Sequence, residues 1–256
     1  MDLNVQDVNV RVGDAQLLSG VNLAVKAGEL TALLGANGAG KTTLLRTALG
    51  FIKPDSGSIT LGSDPVQSLP PLERARRAAY LPQIRPLAWP NTVYDVVALG
   101  RFSHGANLGR LKGADAEAVK AALTACDIKH LAQRTTDTLS GGELARVHCA
   151  RAFAARAPLL FADEPVAALD PRHQYNIMKL IREYVTPQSG LKNGALVVLH
   201  DVNLAARYAD RLVWMKAGRI IASGSPKETL SSERLAQVYG VKARTEGLNV
   251  IIDGAL

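Results

Sequence analysis

Cysteine is scarce. Cys126 and Cys149 are the two in 256 residues, and they sit in separate helix-like segments with no CxxC spacing. That pattern points to neither a disulfide framework nor a zinc site, and both thiols are expected in the core. Aromatic residues make up 5% of the chain and do not interleave with the scattered basic ones (Arg74, Arg76, Arg77, Arg101, Arg110, Arg146, Arg151, Arg156). A stacking groove for nucleic acid is therefore not expected. The longest apolar runs, such as ALVVL and LLFA, fall short of the roughly 20 residues that span a bilayer. The start, MDLNVQDVNV, has neither a basic flank nor a continuous apolar stretch, so no signal peptide is read there and the chain is expected in the cytosol. Internal repeats, heptads and low-complexity linkers are also missing. Acidic residues are in deficit, and the net charge of +7 fits nucleic-acid contact, a membrane-proximal position or a basic surface without special role.

What is present is aliphatic material throughout, at 47% apolar residues, enough to bury one core. Residues 1–30 alternate apolar and polar, the period of half-buried antiparallel strands. LTALLG reads as a buried strand entering a glycine loop, and TTLLRTAL, closed by Gly50, as the helix after it. KPDSGSITLGSDP is a turn-rich hairpin, and LERARRAAYLPQ a basic helix followed by a strand ending at Gln83. From Pro90 to about Arg156 only helical periodicity remains. PLLFAD, ALVVLH and RLVWMKAG are then short strands separated by helices, the alternation of a parallel sheet, and GSPKETLSSERLAQVYG gives two short helices.

Gly35, Ala36, Asn37, Gly38, Ala39, Gly40, Lys41 and Thr42 match GxxxxGKT between a strand and a helix. Such a loop points backbone amides at phosphate oxygens, sends Lys41 to the β- and γ-phosphates and offers the Thr42 hydroxyl to Mg²⁺. Asp163 closes the strand LLFAD, where open α/β sheets place ligands, and is expected to hold the metal. Glu164 follows with its carboxylate aimed elsewhere, free to orient or deprotonate an attacking water. His200 and Gln83 end further strands, within reach of a γ-phosphate and of Mg²⁺ respectively. Four strand ends, at Gly35, Gln83, Asp163 and His200, are thus expected on one edge. The fold class is α/β: a P-loop NTPase core, mainly a parallel sheet flanked by helices, with an N-terminal antiparallel β subdomain and an inserted helical subdomain. The core takes residues 1–89 and 157–256, the helical part 90–156.

A second glycine turn follows in TLSGGELARV. Ser140, three residues before Glu143, fits a capping box, and the glycine pair exposes amides whose anion must come from outside the first cradle. GANGAGKT, YLPQ, LSGGE, LLFADEP, ALD and VLHD, in this order, resemble the ATP-binding subunit of ABC transporters over nearly the entire chain. The resemblance implies a head-to-tail homodimer in which Leu139, Ser140, Gly141, Gly142 and Glu143 complete the partner's ATP site. It also gives Lys41, Thr42 and Thr43 to phosphate and Mg²⁺, Gln83 to sensing, Asp163 to the metal and Glu164 to general-base catalysis. His200 becomes the γ-phosphate contact and Asp170, an N-cap before Pro171, the link between sites.

Three positions depart from the pattern. Val12 stands where an aromatic residue usually stacks on adenine, Val166 and Ala167 replace a frequent Thr-Ser pair in a partner-facing loop, and Leu144 replaces a glutamine after LSGGE. Chromosome-maintenance, DNA-repair and ribosome-associated ATPases share the signature, so a non-transport ATPase acting on nucleic acid or ribosomes is the alternative. RPLAWPNTVYDVVALGR, ALDPRHQ and the stretch from LHDVNLAARYADRLV to LAQVYGV look like importers of iron siderophores, haem and cobalamin. That implies integral permease subunits, a periplasmic or lipoprotein substrate-binding protein, no direct nucleic acid, and a peripheral position on the cytoplasmic face of the inner (plasma) membrane. Residues after Gln83, through about Val97, are expected to form the groove that grips a cytoplasmic helix of the permease.

Overall fold

Alternation in LNVQDVNVRV and AQLLSGVNLAV sends Leu3, Val5, Val8, Val10, Leu18 and Val21 inward because successive strand side chains point to opposite faces. The alternation slips between Val5 and Val8, where Asp7 adopts a left-handed φ of 47° and the register shifts, the mark of a bulge. The computed structural model of the chain describes residues 1–83, 90–107, 109–186 and 192–256.

In chain order the strands and helices are β1 (Leu3–Val12), β2 (Ala15–Val25), β3 (Leu30–Gly35), α1 (Lys41–Ala48), β4 (Ser56–Leu61), β5 (Asp64–Pro65), α2 (Pro71–Arg77) and β6 (Ala78–Leu81). The helices α3 (Val93–Ala98), α4 (Gly113–Ala125) and α5 (Gly141–Ala154) come next. Then follow β7 (Leu159–Asp163), α6 (Pro171–Val185), β8 (Gly194–Val198), α7 (Val202–Tyr208), β9 (Arg211–Lys216), β10 (Arg219–Gly224), α8 (Pro226–Thr229), α9 (Ser232–Tyr239), β11 (Val241–Glu246) and β12 (Asn249–Ala255).

The expected α/β architecture is the one adopted. β6, β7, β8, β3 and β9 run parallel in one sheet, with β10 antiparallel at its edge. β2, β1, β4 and β5 make a separate antiparallel sheet. All residues of β3, β7 and β8 are buried, as strands covered on both faces must be. Leu30, Ala32 and Leu34 face a core shared with α3 to α6, whereas Leu33, Phe161 and Leu196 face one shared with α1 and the antiparallel sheet. Each fully buried leucine there contributes about 1.5–3 kcal/mol.

Two features exceed the sequence reading: the edge strand β10, and a terminal β11–β12 hairpin tied to α7 by a two-way bond between Asn203 and the backbone of Val250 (3.1 and 2.6 Å). Two strand ends also shift. β6 stops at Leu81 and β8 at Val198, so Gln83 and His200 lie just past the ladder, on turns that leave their side chains free to aim sideways.

Candidate nucleotide site

β3 runs into the glycine loop and α1 leaves it. The N-cap of α1 is Gly40, left-handed at φ 98°, with no side chain capping the first turn. The first-turn amides therefore lack a side-chain acceptor and face an open cleft of about 370 Å³ lined by Gln16, Leu17, Asn37 through Thr43, Glu164, Ala217 and Gly218, an anion-binding arrangement. Lys41 is 6% exposed. Its Nζ donates to the carbonyls of Gly35 (2.7 Å) and Ala36 (2.9 Å), lying folded onto the loop. Burial lowers its pKa, while Glu164 and Asp163 pull it back up. The amide of Gly35 donates to the hydroxyl of Tyr239 at 3.2 Å, a phenol that burial pushes up to about 12. Sequence reading missed this tie between α9 and the loop.

β7 delivers the acids. Asp163 is 2% exposed, and burial raises its pKa against the opposing hydrogen bond from Thr42. The Thr42 hydroxyl donates to Asp163 Oδ1 at 3.3 Å. A buried carboxylate beside a hydroxyl and a phosphate cradle fits a hard divalent cation that keeps most of its ligands from water and phosphate. Among the described residues no group of three His, Cys, Asp or Glu could hold a metal, so an ion here relies on those outside ligands.

Glu164, the acid expected to orient or deprotonate a water, is held by its neighbours. Its backbone is left-handed (φ 48°) and its amide donates to Val198 O at 3.2 Å. His200 Nε2 lies 2.5 Å from Oε1, and Gln83 Nε2 donates to Oε2 at 2.6 Å. The strand-edge convergence thus brings Lys41, Thr42, Gln83, Asp163, Glu164 and His200 together, with Glu164 gripped from both sides.

The second glycine turn lies outside this cleft. Ser140 caps α5 in both directions: its Oγ accepts from Glu143 N (3.3 Å), and its N–H donates to Glu143 Oε2 (2.8 Å). Those bonds from Ser140 hold the Glu143 carboxyl below its ordinary pKa. Gly141 is exposed and Gly142 buried. Asp170 caps α6 through His173 N (3.0 Å). Val166 is 8% exposed and packed in the core, so a hydroxyl at that position would not face a partner; Ala167 and Ala168 are the exposed residues of the loop.

An apolar groove of about 400 Å³ lies between α2 and the turn Leu99–His104, with Phe51, Leu72, Leu99 and Phe102 on its walls. These four are 59%, 49%, 44% and 62% exposed, an apolar cluster of the kind that marks an interaction surface. The groove expected after Gln83 lies partly outside the described residues (84–89), and Val93, Val96 and Val97 are buried among the helices. The floor of the observed groove is fastened to α5. A Cβ on Gly100 would lie 2.2 Å from Arg151 O, and the buried Arg101 bonds Asp115 Oδ1 (Nε, 2.8 Å) and Ala154 O (Nη1, 2.9 Å).

Residues 18–167 match the family model described as ABC transporter. The chain belongs to the ABC transporter family. As such it is an ATPase whose hydrolysis is coupled to transport. The hemin import ATP-binding protein HmuV of Shewanella denitrificans is 41% identical over 247 residues, covering 94% of each chain. The protein of the same name from Pseudomonas aeruginosa is 39% identical over 245 residues, covering 94% of this chain and 93% of its own. Among solved structures, cbiO1 from Clostridium perfringens, part of the ABC transporter complex cbiONQ, superposes with a TM-score of 0.77 at 30% identity over 92% of both chains. No helix of this ABC ATPase, among the described residues, is long and apolar enough to cross a membrane.

Proposed function

We propose that this ABC ATPase powers import of haem, acting as a homodimer on the cytoplasmic face of the inner membrane with integral permease subunits and a substrate-binding protein. The observation that carries the ATPase site is the grip of His200 and Gln83 on Glu164, beside Lys41 and Asp163. Haem, rather than a siderophore or cobalamin, is favoured because the relatives at 41% and 39% identity are hemin import ATP-binding proteins. The exposed groove at Phe51, Leu72, Leu99 and Phe102 favours a transport partner over the non-transport alternative, because a short amphipathic helix of a permease would bury those apolar side chains.

In this reading Gly35 through Thr43 bind the phosphates of ATP, and Thr42, Asp163 and Gln83 hold Mg²⁺. Bound there, the ion would neutralise charge on the phosphates. Lys41 would exchange its two carbonyl acceptors for phosphate oxygens. Glu164 accepts a proton from water as the water oxygen bonds to the γ-phosphorus and the bond to the β-phosphate oxygen breaks. Each Glu164 oxygen takes one donor in the geometry described and keeps a second lone pair, so Gln83 and His200 orient the carboxylate while leaving it able to accept a proton from water. His200 lies beside it, placed to turn to the γ-phosphate. Residues 90–156 act as the signature subdomain and 1–89 with 157–256 as the nucleotide-binding core. Ser140 and Gly142 contact the partner's γ-phosphate, and Asp170 links the two sites.

The test is to purify the tagged protein from its own cells after mild detergent and nuclease treatment, identify what accompanies it, and assay haem uptake by proteoliposomes of the complex. A polytopic membrane protein in near-equal amount, with haem moved at the expense of ATP, supports the reading. Ribosomal or chromosomal proteins without a permease would overturn the transport role. A permease complex that hydrolyses ATP but ignores haem would overturn the cargo alone.

A further inference from the structure

Gly142 is buried whereas Gly141, its neighbour in the same first turn, is exposed. What covers it is the imidazole of His173. A Cβ on Gly142 would lie 2.0 Å from the ring Cδ2 and 2.3 Å from Nε2, so the ring edge rests on the signature backbone with no room for any side chain. The other ring nitrogen, Nδ1, is 2.8 Å from Asp170 Oδ2, while Asp170 Oδ1 accepts the backbone N–H of the same His173 at 3.0 Å. An ionised carboxylate only accepts, so Nδ1 carries the proton and Nε2 is the nitrogen turned to the signature turn. One side chain therefore touches both elements that the proposed function assigns to the partner's site, the first turn of α5 and the first turn of α6.

The segment that precedes α6 needs such a hold. It runs from Glu164 (φ 48°) to Ala168 (φ 60°), both left-handed and neither glycine. Non-glycine residues are sterically disfavoured in that region and persist when their surroundings fix them. The capping bonds of Asp170 and the wedge of His173 against Gly142 supply that fixation at the far end.

We propose that His173 is a positioning residue that locks the signature turn and Asp170 into one register, so that both meet the partner's nucleotide together. This rests on the composite-site reading above. It assigns no contact between His173 and ATP, and it leaves the P-loop untouched.

The experiment uses the full chain and compares His173→Ala, His173→Asn and His173→Leu. In a Glu164→Gln background the ATP-bound dimer is followed by sedimentation; in the wild-type background kcat is measured. ATP affinity is measured at dilutions where the chain is monomeric. His173→Ala is expected to raise the dimer dissociation constant about tenfold, because the competent register of the two turns would be populated only about a tenth of the time in the free chain, and to lower kcat. ATP affinity of the monomer should stay within about twofold, a difference of roughly 0.4 kcal/mol. Asparagine can donate to Asp170 from close to the place of Nδ1 and should restore most of the dimer affinity, whereas leucine fills space without a donor and should not. Equal rescue by leucine and asparagine would reduce His173 to packing and overturn the proposal, as would wild-type dimerisation of the alanine chain. Should alanine prevent folding, the asparagine and leucine pair decides. Ser140→Arg separates the two levels. If it blocks hydrolysis while all His173 variants behave as wild type, only the positioning role falls; if it hydrolyses ATP normally, the composite site itself is wrong.

Discussion

Replacing Glu164 with glutamine removes one negative charge and keeps the side chain's shape. In the wild type each carboxylate oxygen takes one donor, Gln83 Nε2 at 2.6 Å and His200 Nε2 at 2.5 Å. Glutamine offers one oxygen and one NH₂ group. Its oxygen can keep Gln83, and His200 can adapt by carrying its proton on Nδ1, so that Nε2 accepts from the new amide. The fold then loses about 1 kcal/mol or less, as charge-assisted bonds become neutral ones. What disappears is the ability to take a proton from water. Turnover should fall by about 10²–10⁴, a barrier increase of roughly 3–5 kcal/mol at about 1.4 kcal/mol per tenfold. ATP affinity should change by no more than about threefold, because the interaction removed belongs to the transition state. Phosphate release at saturating Mg-ATP gives the first quantity and equilibrium binding of a fluorescent ATP analogue the second. A folded, ATP-binding Glu164→Gln chain that turns over within about tenfold of wild type, well short of a general base's usual worth, would show that the proton goes elsewhere.

Asp163 is 2% exposed and burial raises its pKa. An acid raised in the folded state helps stability only at low pH, and that help is lost as pH rises through its folded value, so charged Asp163 is a cost at neutral pH. Asp163→Asn should raise the Tm of the nucleotide-free chain by about 2–4 °C, near 1 kcal/mol at this size, and abolish further stabilisation by Mg-ATP; a lower Tm without nucleotide would contradict it. Arg101 is 6% exposed and holds Asp115 and the end of α5. Arg101→Ala should cost about 2–3 kcal/mol, through the lost charge-assisted bonds to Asp115 and to the carbonyls at the end of α5, and a Tm drop under about 3 °C would count against that. Val12 is 62% exposed and does not line the cleft, whose outer wall is Gln16, Leu17, Ala217 and Gly218. Without a ring worth about 1–3 kcal/mol of base stacking, ATP is expected to be bound weakly, and GTP should compete within about tenfold of ATP. A hundredfold preference for ATP in a competition assay, about 2.7 kcal/mol, would refute this.

The parts legible in the sequence are those whose physics is local. A strand, a glycine loop and a helix in succession announce the phosphate cradle because each has its own period and punctuation, and the chain follows them from Leu30 to Ala48. The Ser140–Glu143 box and the Asp170 cap are likewise three-residue relations, and both form as the spacing requires. Contacts between distant segments leave no such trace. Glu164 reads as a free acid until the turns after β6 and β8 bring Gln83 and His200 onto it. His173 reads as one more polar residue of an amphipathic helix, although DPRH places it one turn past Asp170, and that spacing could have raised the bond between them. Phe51, Leu72, Leu99 and Phe102 come from different segments, each unremarked alone, and only the fold makes them one groove. Val166 is the reverse case: its position in a motif points outward to a partner, and its burial in the core points the other way.

The two glycine turns differ in what they do before any nucleotide arrives. At Gly40 no side chain caps the helix, so the amides are open and the site can bind on its own. At Ser140 the hydroxyl and the residue's own N–H are already paired with Glu143, so fewer donors are open to an anion there than at Gly40. A weak cradle of that kind contributes most when a nucleotide already held elsewhere is presented to it. α5 adds the geometry for regulating that encounter. It is 14 residues long, roughly 20 Å at about 1.5 Å per residue. Its first turn carries the signature, while its last turn is fastened to Gly100 and Arg101 beneath the apolar groove. In the proposed composite site, an occupant of the groove and a nucleotide on the partner would act on opposite ends of one stiff element. Coupling from the groove to the signature turn would then run along α5, at a distance from the side chains that surround the nucleotide cleft.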